Sequence, residues 1–120
     1  MAAIQSYKDL IVWQKSMELV TEIYNLTEKF PQSEIYGLIS QMRRSAVSIP
    51  SNIAEGNRRG TRPDYRKFLL TAFGSGAELE TQVEIAEQLP FSKNLDYTKV
   101  EEVLDEVMKM LNVLIKKLEL

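Results

Sequence analysis

Helical periodicity in residues 41–60 constrains the fold of this chain more than any other feature. Apolar and small residues recur there every three or four positions and form one row: Met42, Ala46, Ile49, Ile53 and Gly56. A second row at the same spacing is polar: Gln41, Ser45, Ser48, Asn52, Glu55 and Arg59. Such spacing places each row along one side of an α-helix. The segment therefore predicts a helix with one apolar face and one small polar face.

The polar row lacks the lysine and glutamate that an ordinary solvated helix face carries. Serine and asparagine compete with the backbone for hydrogen bonds, so they are poor choices for a face that only has to stay helical. Either another surface approaches this face closely, or the protein uses it to bind a partner. We therefore define a candidate partner stripe from four of its residues: Ser45, Ser48, Asn52 and Glu55.

Four helical segments follow from the periodicity of the whole chain, at about residues 9–29, 34–57, 62–89 and 97–119. Prolines end the first and third segments, since proline disfavours helix at the residue before it. Ser33 and Asp96 are the expected N-caps of the second and fourth helices, and Thr61 begins the third. Helices of this length joined by short turns predict one all-α domain over residues 1–120, an antiparallel up-down-up-down four-helix bundle.

Pro50 and two glycines are unusual inside predicted helices. Proline removes a backbone hydrogen bond and crowds the preceding turn. We therefore expect a kink in the second helix near Pro50, with division into two helices as the alternative. Glycine in a helix interior costs about 1 kcal/mol relative to alanine. Antiparallel pairing would place Arg44 and Ser45 beside Gly74 and Ser75, so we expect Gly74 and Gly76 to lie where the second and third helices approach most closely.

The first predicted helix is apolar around roughly twice the arc that burial on one side requires. Its apolar residues form two rows, one of Leu10, Trp13, Met17, Val20 and Tyr24 and the other of Val12, Leu19, Ile23, Leu26 and Phe30. In a bundle this small, the cover for a second side would come from another subunit. We therefore predict a homo-oligomer, which a charge at Leu19 or Ile23 should disperse more than one at Glu18.

Charge is distributed unevenly, although the formal net charge is only -2. Residues 43–67 are strongly basic, and the remainder of the chain is acidic. A local basic patch can bind nucleic acid despite an acidic total. We therefore treat six arginines as candidate nucleic-acid-binding residues: Arg43, Arg44, Arg58, Arg59, Arg62 and Arg66.

Structural pairing is the alternative interpretation of these arginines. Arg43 or Arg44 could form an ion pair with Glu78 or Glu80 across the second and third helices. The arginines near the turn between those helices could instead pair between subunits with acidic residues of the fourth helix: Glu101, Glu102, Asp105 and Glu106.

The residue types that the chain lacks exclude several classes of function. There is no cysteine, so disulfides and thiolate metal sites are excluded, and the composition suits a reducing cytoplasm. There is no histidine, the commonest general base and metal ligand, and no other catalytic pattern is present. No signal-peptide or membrane-spanning pattern is present either. We therefore predict a cytoplasmic, non-enzymatic binding module with no cofactor, no metal and no membrane partner.

Three motifs make the sequence resemble a known bacterial family. They are Asp9-Leu10-x-Val12-Trp13-Gln14-Lys15, the run from Tyr36-Gly37-Leu38 through Ser48-Ile49-Pro50-Ser51-Asn52-Ile53-Ala54-Glu55-Gly56, and Phe68-Leu69 with Gly74-Ser75 and Glu78-Leu79-Glu80. They resemble the four-helix-bundle proteins that are encoded in intervening sequences of 23S ribosomal RNA genes. The resemblance covers nearly the whole chain, from Tyr7 to Leu118.

This resemblance implies an up-down-up-down bundle that assembles as a homopentamer and associates with nucleic acid. The accessory variability proteins of diversity-generating retroelements are similar, and in them a basic pentamer contacts the reverse transcriptase and nucleic acid. The present chain differs from that branch because it is acidic overall. Two functions therefore stay open. One is an oligomer that binds RNA or DNA through the arginines, and the other is a scaffold that docks another protein on the partner stripe.

Overall fold

The computed structural model describes residues 6–119 of the chain. This part contains four α-helices and two short 3-10 turns, joined by short loops. The helices are α1 (Ile11–Thr27), α2 (Leu38–Arg58), α3 (Arg62–Gln88) and α4 (Thr98–Lys117), and the turns are Tyr7–Asp9 and Gln32–Glu34. Both α1 and α3 pack against α2 and α4, which closes the bundle. This arrangement confirms the predicted all-α four-helix bundle.

The core of the bundle is built from the apolar rows of the sequence. Burying an aliphatic side chain of ordinary size contributes about 1.5–3 kcal/mol, so these contacts hold the helices together more than helix propensity does. Side chains with no exposed surface come from all four helices: Leu19, Ile23, Met42, Ile49, Ile53, Leu69, Leu79, Val107 and Leu111.

Helix α2 begins at Leu38, later than the sequence pattern predicts, and the assignment of Ser33 as its N-cap is wrong. Ser33 lies in a 3-10 turn, and the backbone of Gly37 (φ -109°, ψ -118°) leaves the helical region before α2 starts. The side chain of Glu34 takes the capping role, because its Oε1 accepts a hydrogen bond from the Leu38 amide at 3.2 Å. The positive end of the helix dipole also stabilises a carboxylate at this position.

The α2 helix continues through Pro50 without a break. The alternative of two separate helices is therefore wrong. Near the proline, the Ser51 hydroxyl donates to the carbonyl of Val47 at 2.9 Å. The Asn52 amide donates to the carbonyl of Ser48 at 2.8 Å. Side chains thus support the helix on both sides of the proline.

Thr61 begins the third helix as its N-cap, as the sequence predicts, and Gly60 lies in the turn before it. Gly60 has a φ of +84°, a left-handed conformation that glycine adopts without steric cost. Thr61 is the N-cap of α3, and its hydroxyl accepts a hydrogen bond from the Asp64 amide at 3.3 Å. Pro63 occupies the first turn, where backbone amides have no acceptor within the helix, so the missing N–H of proline costs no hydrogen bond.

The start of α4 differs from the sequence prediction by one residue. Tyr97 occupies the N-cap position that was predicted for Asp96. The Asp96 carboxylate still accepts a hydrogen bond from the amide of Thr98 at 3.0 Å. That bond holds the pKa of the Asp96 carboxyl below its ordinary value.

Gly56, and not Gly74, lies at a close approach of α2 and α3. A Cβ atom added at Gly56 would lie 2.6 Å from Cβ of Phe68 and 3.3 Å from the backbone oxygen of Tyr65. A Cβ at Gly74 would meet no atom within 4 Å, so the prediction that Gly74 is a packing residue is wrong. Gly76 does pack closely, but against Met108 of α4.

Small residues do meet between α2 and α3, about one helical turn away from the predicted register. The hydroxyl oxygens of Ser48 and Ser75 lie 2.8 Å apart, whereas the sequence placed Ser45 beside Ser75. The bounds of the helices account for little of this shift, because the turn between Arg58 and Arg62 is centred at Gly60. The offset lies in how α3 is placed along α2, as the contact between Ser48 and Ser75 shows.

Candidate functional site

The six candidate arginines fall into two groups. Arg43 and Arg44 lie in the first half of α2, and the other four lie around the turn between α2 and α3. At 1.5 Å per residue, Arg44 and Arg58 are separated by about 21 Å along α2. The six arginines therefore do not form one continuous surface.

Arg43 is held within the protomer by α1. Its Nε donates to the hydroxyl of Thr27 at 2.9 Å, and its guanidinium lies 4.3 Å from the ring centroid of Tyr24. Arg44 forms no hydrogen bond or ion pair within residues 6–119. The predicted ion pair of Arg43 or Arg44 with Glu78 or Glu80 is absent from the described residues, so that prediction is wrong.

Arg58 and Arg59 end α2 beside aromatic rings. The guanidinium of Arg58 lies 5.4 Å from the ring centroid of Tyr7, and that of Arg59 lies 4.9 Å from the ring centroid of Phe68. Arg59 also forms an ion pair with Glu55, with 2.7 Å between Nη2 and Oε2. Ring contacts and this ion pair fix the positions of both guanidinium groups while leaving them exposed.

Arg62 and Arg66 bind the last turn of α4. Nη2 of Arg62 donates to the carbonyl of Lys117 at 2.5 Å, and Nε of Arg66 donates to the carbonyl of Ile115 at 3.3 Å. Arg66 also forms an ion pair with Glu119 at 3.2 Å. The last carbonyls of a helix lack partners within the helix and carry its negative dipole end, so cations are favoured there. Sequence reasoning missed this role, because the partners are about fifty residues away in the chain.

Folding brings further basic residues to the same place. The 3-10 turn before α1 contacts α2 there, and α4 ends there. Carboxylates are fewer in this region than basic groups, and they include Glu55, Asp64 and Glu119. We call this region the basic end, and it comprises Lys8, Arg58, Arg59, Arg62, Arg66, Lys67, Lys116 and Lys117.

The partner stripe lies along the groove between α2 and α3. Ser45 is buried, and Ser48 is hydrogen-bonded to Ser75 of α3. Asn52 donates to its own helix, and Glu55 pairs with Arg59. The neighbouring helix thus explains much of the small polar character of the stripe.

One part of this groove is open and forms a pocket of about 420 Å³. Three serines lie on its walls, together with one basic and one acidic side chain and two glutamines. We call it the α2–α3 pocket, and its lining includes Arg44, Ser45, Ser48, Ser75, Glu78 and Gln82.

The two apolar rows of α1 have different surroundings. The row that contains Leu19 and Ile23 is buried in the protomer's own core, so a charge there would disrupt the protomer itself, and its predicted effect on assembly stays a prediction. The other row stays half-buried or exposed, with Met17 43% and Tyr24 40% exposed. We call it the outer row, and it comprises Leu10, Trp13, Met17, Val20 and Tyr24.

Carboxylates gather on α3 and α4, far from the basic end. Glu80, Glu84, Glu87, Glu101 and Asp105 line a groove of about 310 Å³. A hydrogen bond with Glu101, together with burial and the repulsion of neighbouring carboxylates, raises the pKa of Glu87 to about 7. Within residues 6–119, these and other acidic side chains form no cluster suited to holding a metal ion.

No helix within residues 6–119 combines the length and the apolar character that crossing a bilayer requires.

Comparisons with known proteins agree with the resemblance seen in the sequence. The model of a family described as 23S rRNA-intervening sequence protein matches residues 8–113. A crystal structure of a protein with unknown function, from the S23 ribosomal protein family of Bacteroides thetaiotaomicron VPI-5482, is similar to this chain. Its TM-score is 0.77 and its sequence identity 25%, and the match covers 88% of this chain and 99% of that one. No curated protein matches the chain. Since the family model spans most of its length, the chain belongs to the 23S rRNA-intervening sequence protein family.

Proposed function

We propose that this chain is a non-enzymatic binding module that contacts nucleic acid through the basic end of its bundle. The observation that carries the proposal is the convergence of basic residues from several elements on one end of an acidic chain. A local excess of positive charge attracts phosphates by releasing their counterions, whatever the net charge of the whole protein.

The guanidinium groups at the basic end keep donors for such a contact. A guanidinium has five N–H donors, and Arg62 uses one of them on Lys117. Within residues 6–119, neither Arg58 nor Arg62 forms an ion pair with a carboxylate. The existing contacts hold these side chains in place, so little side-chain freedom would be lost on binding a phosphate.

Salt dependence gives the proposal a quantitative test. If the basic end contacts about four phosphates, the affinity for duplex DNA should fall roughly a hundredfold between about 50 and 200 mM salt. Fluorescence anisotropy with a labelled RNA hairpin and a labelled DNA duplex measures both the affinity and its slope with salt concentration. Removing two contacts should lower that slope by about two.

The variant for this test is Arg58→Gln combined with Lys67→Gln. Both side chains are exposed, and neither forms an ion pair within residues 6–119, so the α4 contacts of Arg62 and Arg66 stay intact. The matched control is Lys29→Gln with Lys93→Gln, which removes the same charge from the opposite end, where Phe30 packs on Phe91. A parent-like slope in the test variant, or no binding by the parent at either salt concentration, would refute the proposal.

We further propose that the chain self-associates through the outer row of α1. The support is the contrast between the two rows, because one is fully used by the protomer's core and the other stays partly exposed. Exposed apolar surface that is contiguous along a helix is typical of a contact surface. A pentamer, the assembly that the resemblance implies, would also multiply the basic ends and give weak contacts avidity.

Light scattering at micromolar concentration tests self-association. Met17→Glu should reduce the mass of the assembly towards the 13.8 kDa of one chain. Met17 is partly exposed, so the variant protomer should still fold. The control is Asn25→Glu, which adds the same charge at an exposed position of α1 outside the outer row. A monomeric parent, or equal masses for both variants, would contradict this proposal.

A further inference from the structure

The α2–α3 pocket has the features of a ligand site that is separate from both surfaces discussed above. It lies in the groove between two helices, whereas nucleic acid is proposed to meet the basic end and a second copy the outer row. Its volume of about 420 Å³ lies within the range of pockets that hold small molecules.

Two polar groups of the pocket form no hydrogen bond within residues 6–119, and one of them is a fully buried atom. Ser45 is only 6% exposed, and its hydroxyl forms no hydrogen bond within residues 6–119. Oε1 of Gln82 is buried and also has no partner there. Leaving a buried polar atom such as this Gln82 oxygen unsatisfied costs about 1–3 kcal/mol, and such atoms are rare in folded proteins. The Ser45 hydroxyl keeps some exposed surface and is free to bond a molecule in the pocket. A bound molecule that reaches them would supply the missing hydrogen bonds.

Opposite charges face the same pocket without meeting. Arg44 lies one turn before Ser48 on α2, and Glu78 lies about one turn after Ser75 on the antiparallel α3. Because Ser48 and Ser75 are hydrogen-bonded, Arg44 and Glu78 stand at the same level of the two helices. Both line the pocket, yet they form no ion pair within the described residues. The space between them therefore offers a cation on one wall and a carboxylate on the other.

We propose that this pocket binds a small zwitterion of the α-amino-acid class. The guanidinium of Arg44 can donate two parallel hydrogen bonds to the ligand's carboxylate. The ligand's ammonium group donates to the carboxylate of Glu78. The hydroxyl of Ser45 and the amide of Gln82 are then available to the rest of the molecule. A ligand with only one of the two charges would leave Arg44 or Glu78 without a partner.

Thermal shift and isothermal titration calorimetry with a panel of free L-amino acids test this proposal on the whole chain. At least one of them should raise the melting temperature, because a ligand that binds only the folded state stabilises it. Its N-acetyl derivative lacks the ammonium group and its carboxamide lacks the carboxylate, so each should bind at least tenfold more weakly. Arg44→Gln and Glu78→Gln should each weaken binding of the free amino acid by a similar factor.

Arg43→Gln is the matched control, since Arg43 is the neighbouring arginine but contacts Tyr24 and Thr27 instead of the pocket. It should leave amino-acid binding unchanged. The proposal is overturned if no amino acid in the panel binds, or if the singly charged derivatives bind equally well. Binding that survives in Arg44→Gln would also overturn it. One further result would overturn the proposal. If the parent bound no amino acid and Arg44→Gln changed the mass of the assembly, the pocket would be a contact between subunits.

Discussion

Replacing Gly56 with alanine tests the close contact between α2 and α3. The added methyl group would lie 2.6 Å from Cβ of Phe68, an atom that is fixed to the backbone and cannot rotate away. It would also lie 3.3 Å from the backbone oxygen of Tyr65. The strain can be relieved only if the two helices move apart, which weakens packing along the interface they share.

The expected magnitude follows from two opposing effects. Alanine gains about 1 kcal/mol of helix propensity over glycine. Overpacking of a close helix contact costs about 1–3 kcal/mol, and the rigid partner atoms at Gly56 put this site near the upper end. We therefore expect Gly56→Ala to lower the free energy of unfolding by about 2 kcal/mol. Gly74→Ala is the matched control, because its methyl group would meet no atom within 4 Å and should stabilise the protein by about 1 kcal/mol.

Urea unfolding followed by circular dichroism gives both free energies, and a thermal scan gives the same ranking. A difference of 1 kcal/mol corresponds to roughly 4 °C in melting temperature for a domain of this size. The expected order of stability is Gly74→Ala, then the parent, then Gly56→Ala. If Gly56→Ala were as stable as Gly74→Ala, the close approach at Gly56 would not exist. If Gly74→Ala were strongly destabilising, the original packing prediction for Gly74 would be restored.

Two further predictions concern charged groups. In the folded protein the pKa of Glu87 is about 7, above its ordinary value of 4.5, so the folded state holds the proton more tightly than the unfolded state. Stability should therefore fall by about 1 kcal/mol, after allowing for solvent screening, as pH rises between those two values. Glu87→Gln should flatten this dependence in urea titrations at several pH values, and an unchanged slope would exclude a shared proton with Glu101. Arg66→Gln removes a donor from the end of α4 and should destabilise the protein by about 1 kcal/mol. Equal urea midpoints for Arg66→Gln and the parent would show that the contact with Ile115 contributes nothing.

Much of the fold follows from patterns that are local in the sequence. Apolar spacing of three and four residues identifies all four helices, and Thr61 with Gly60 identifies the turn between α2 and α3. The start of α2 is less predictable, because a serine and a glutamate suit both an N-cap and a 3-10 turn. The backbone of Gly37 decides between them, and no pattern in the sequence reveals its conformation.

The remaining errors of the sequence predictions concern contacts between residues that are far apart in the chain. A glycine inside a helix indicates some close approach, but the sequence does not say which helix comes near. Gly76 faces Met108 of α4, and Gly74 faces nothing within 4 Å. Likewise, a cluster of arginines indicates an anionic partner without naming it. For Arg62 and Arg66 the partners include backbone carbonyls, which every sequence contains and which only the fold can bring close.

The hydrogen bonds from Arg62 and Arg66 to the end of α4 couple fraying of the last turn of α4 to anion binding by these arginines of α3. If a phosphate competed with the Lys117 carbonyl for the guanidinium of Arg62, the last turn of α4 would lose one of its supports. By thermodynamic reciprocity, fraying of that turn would in turn favour the phosphate. Amide hydrogens in the last turn of α4 would then exchange with solvent faster in the bound state than in the free state. Hydrogen exchange at the end of α4 would thus report on an anion bound by Arg62 of α3.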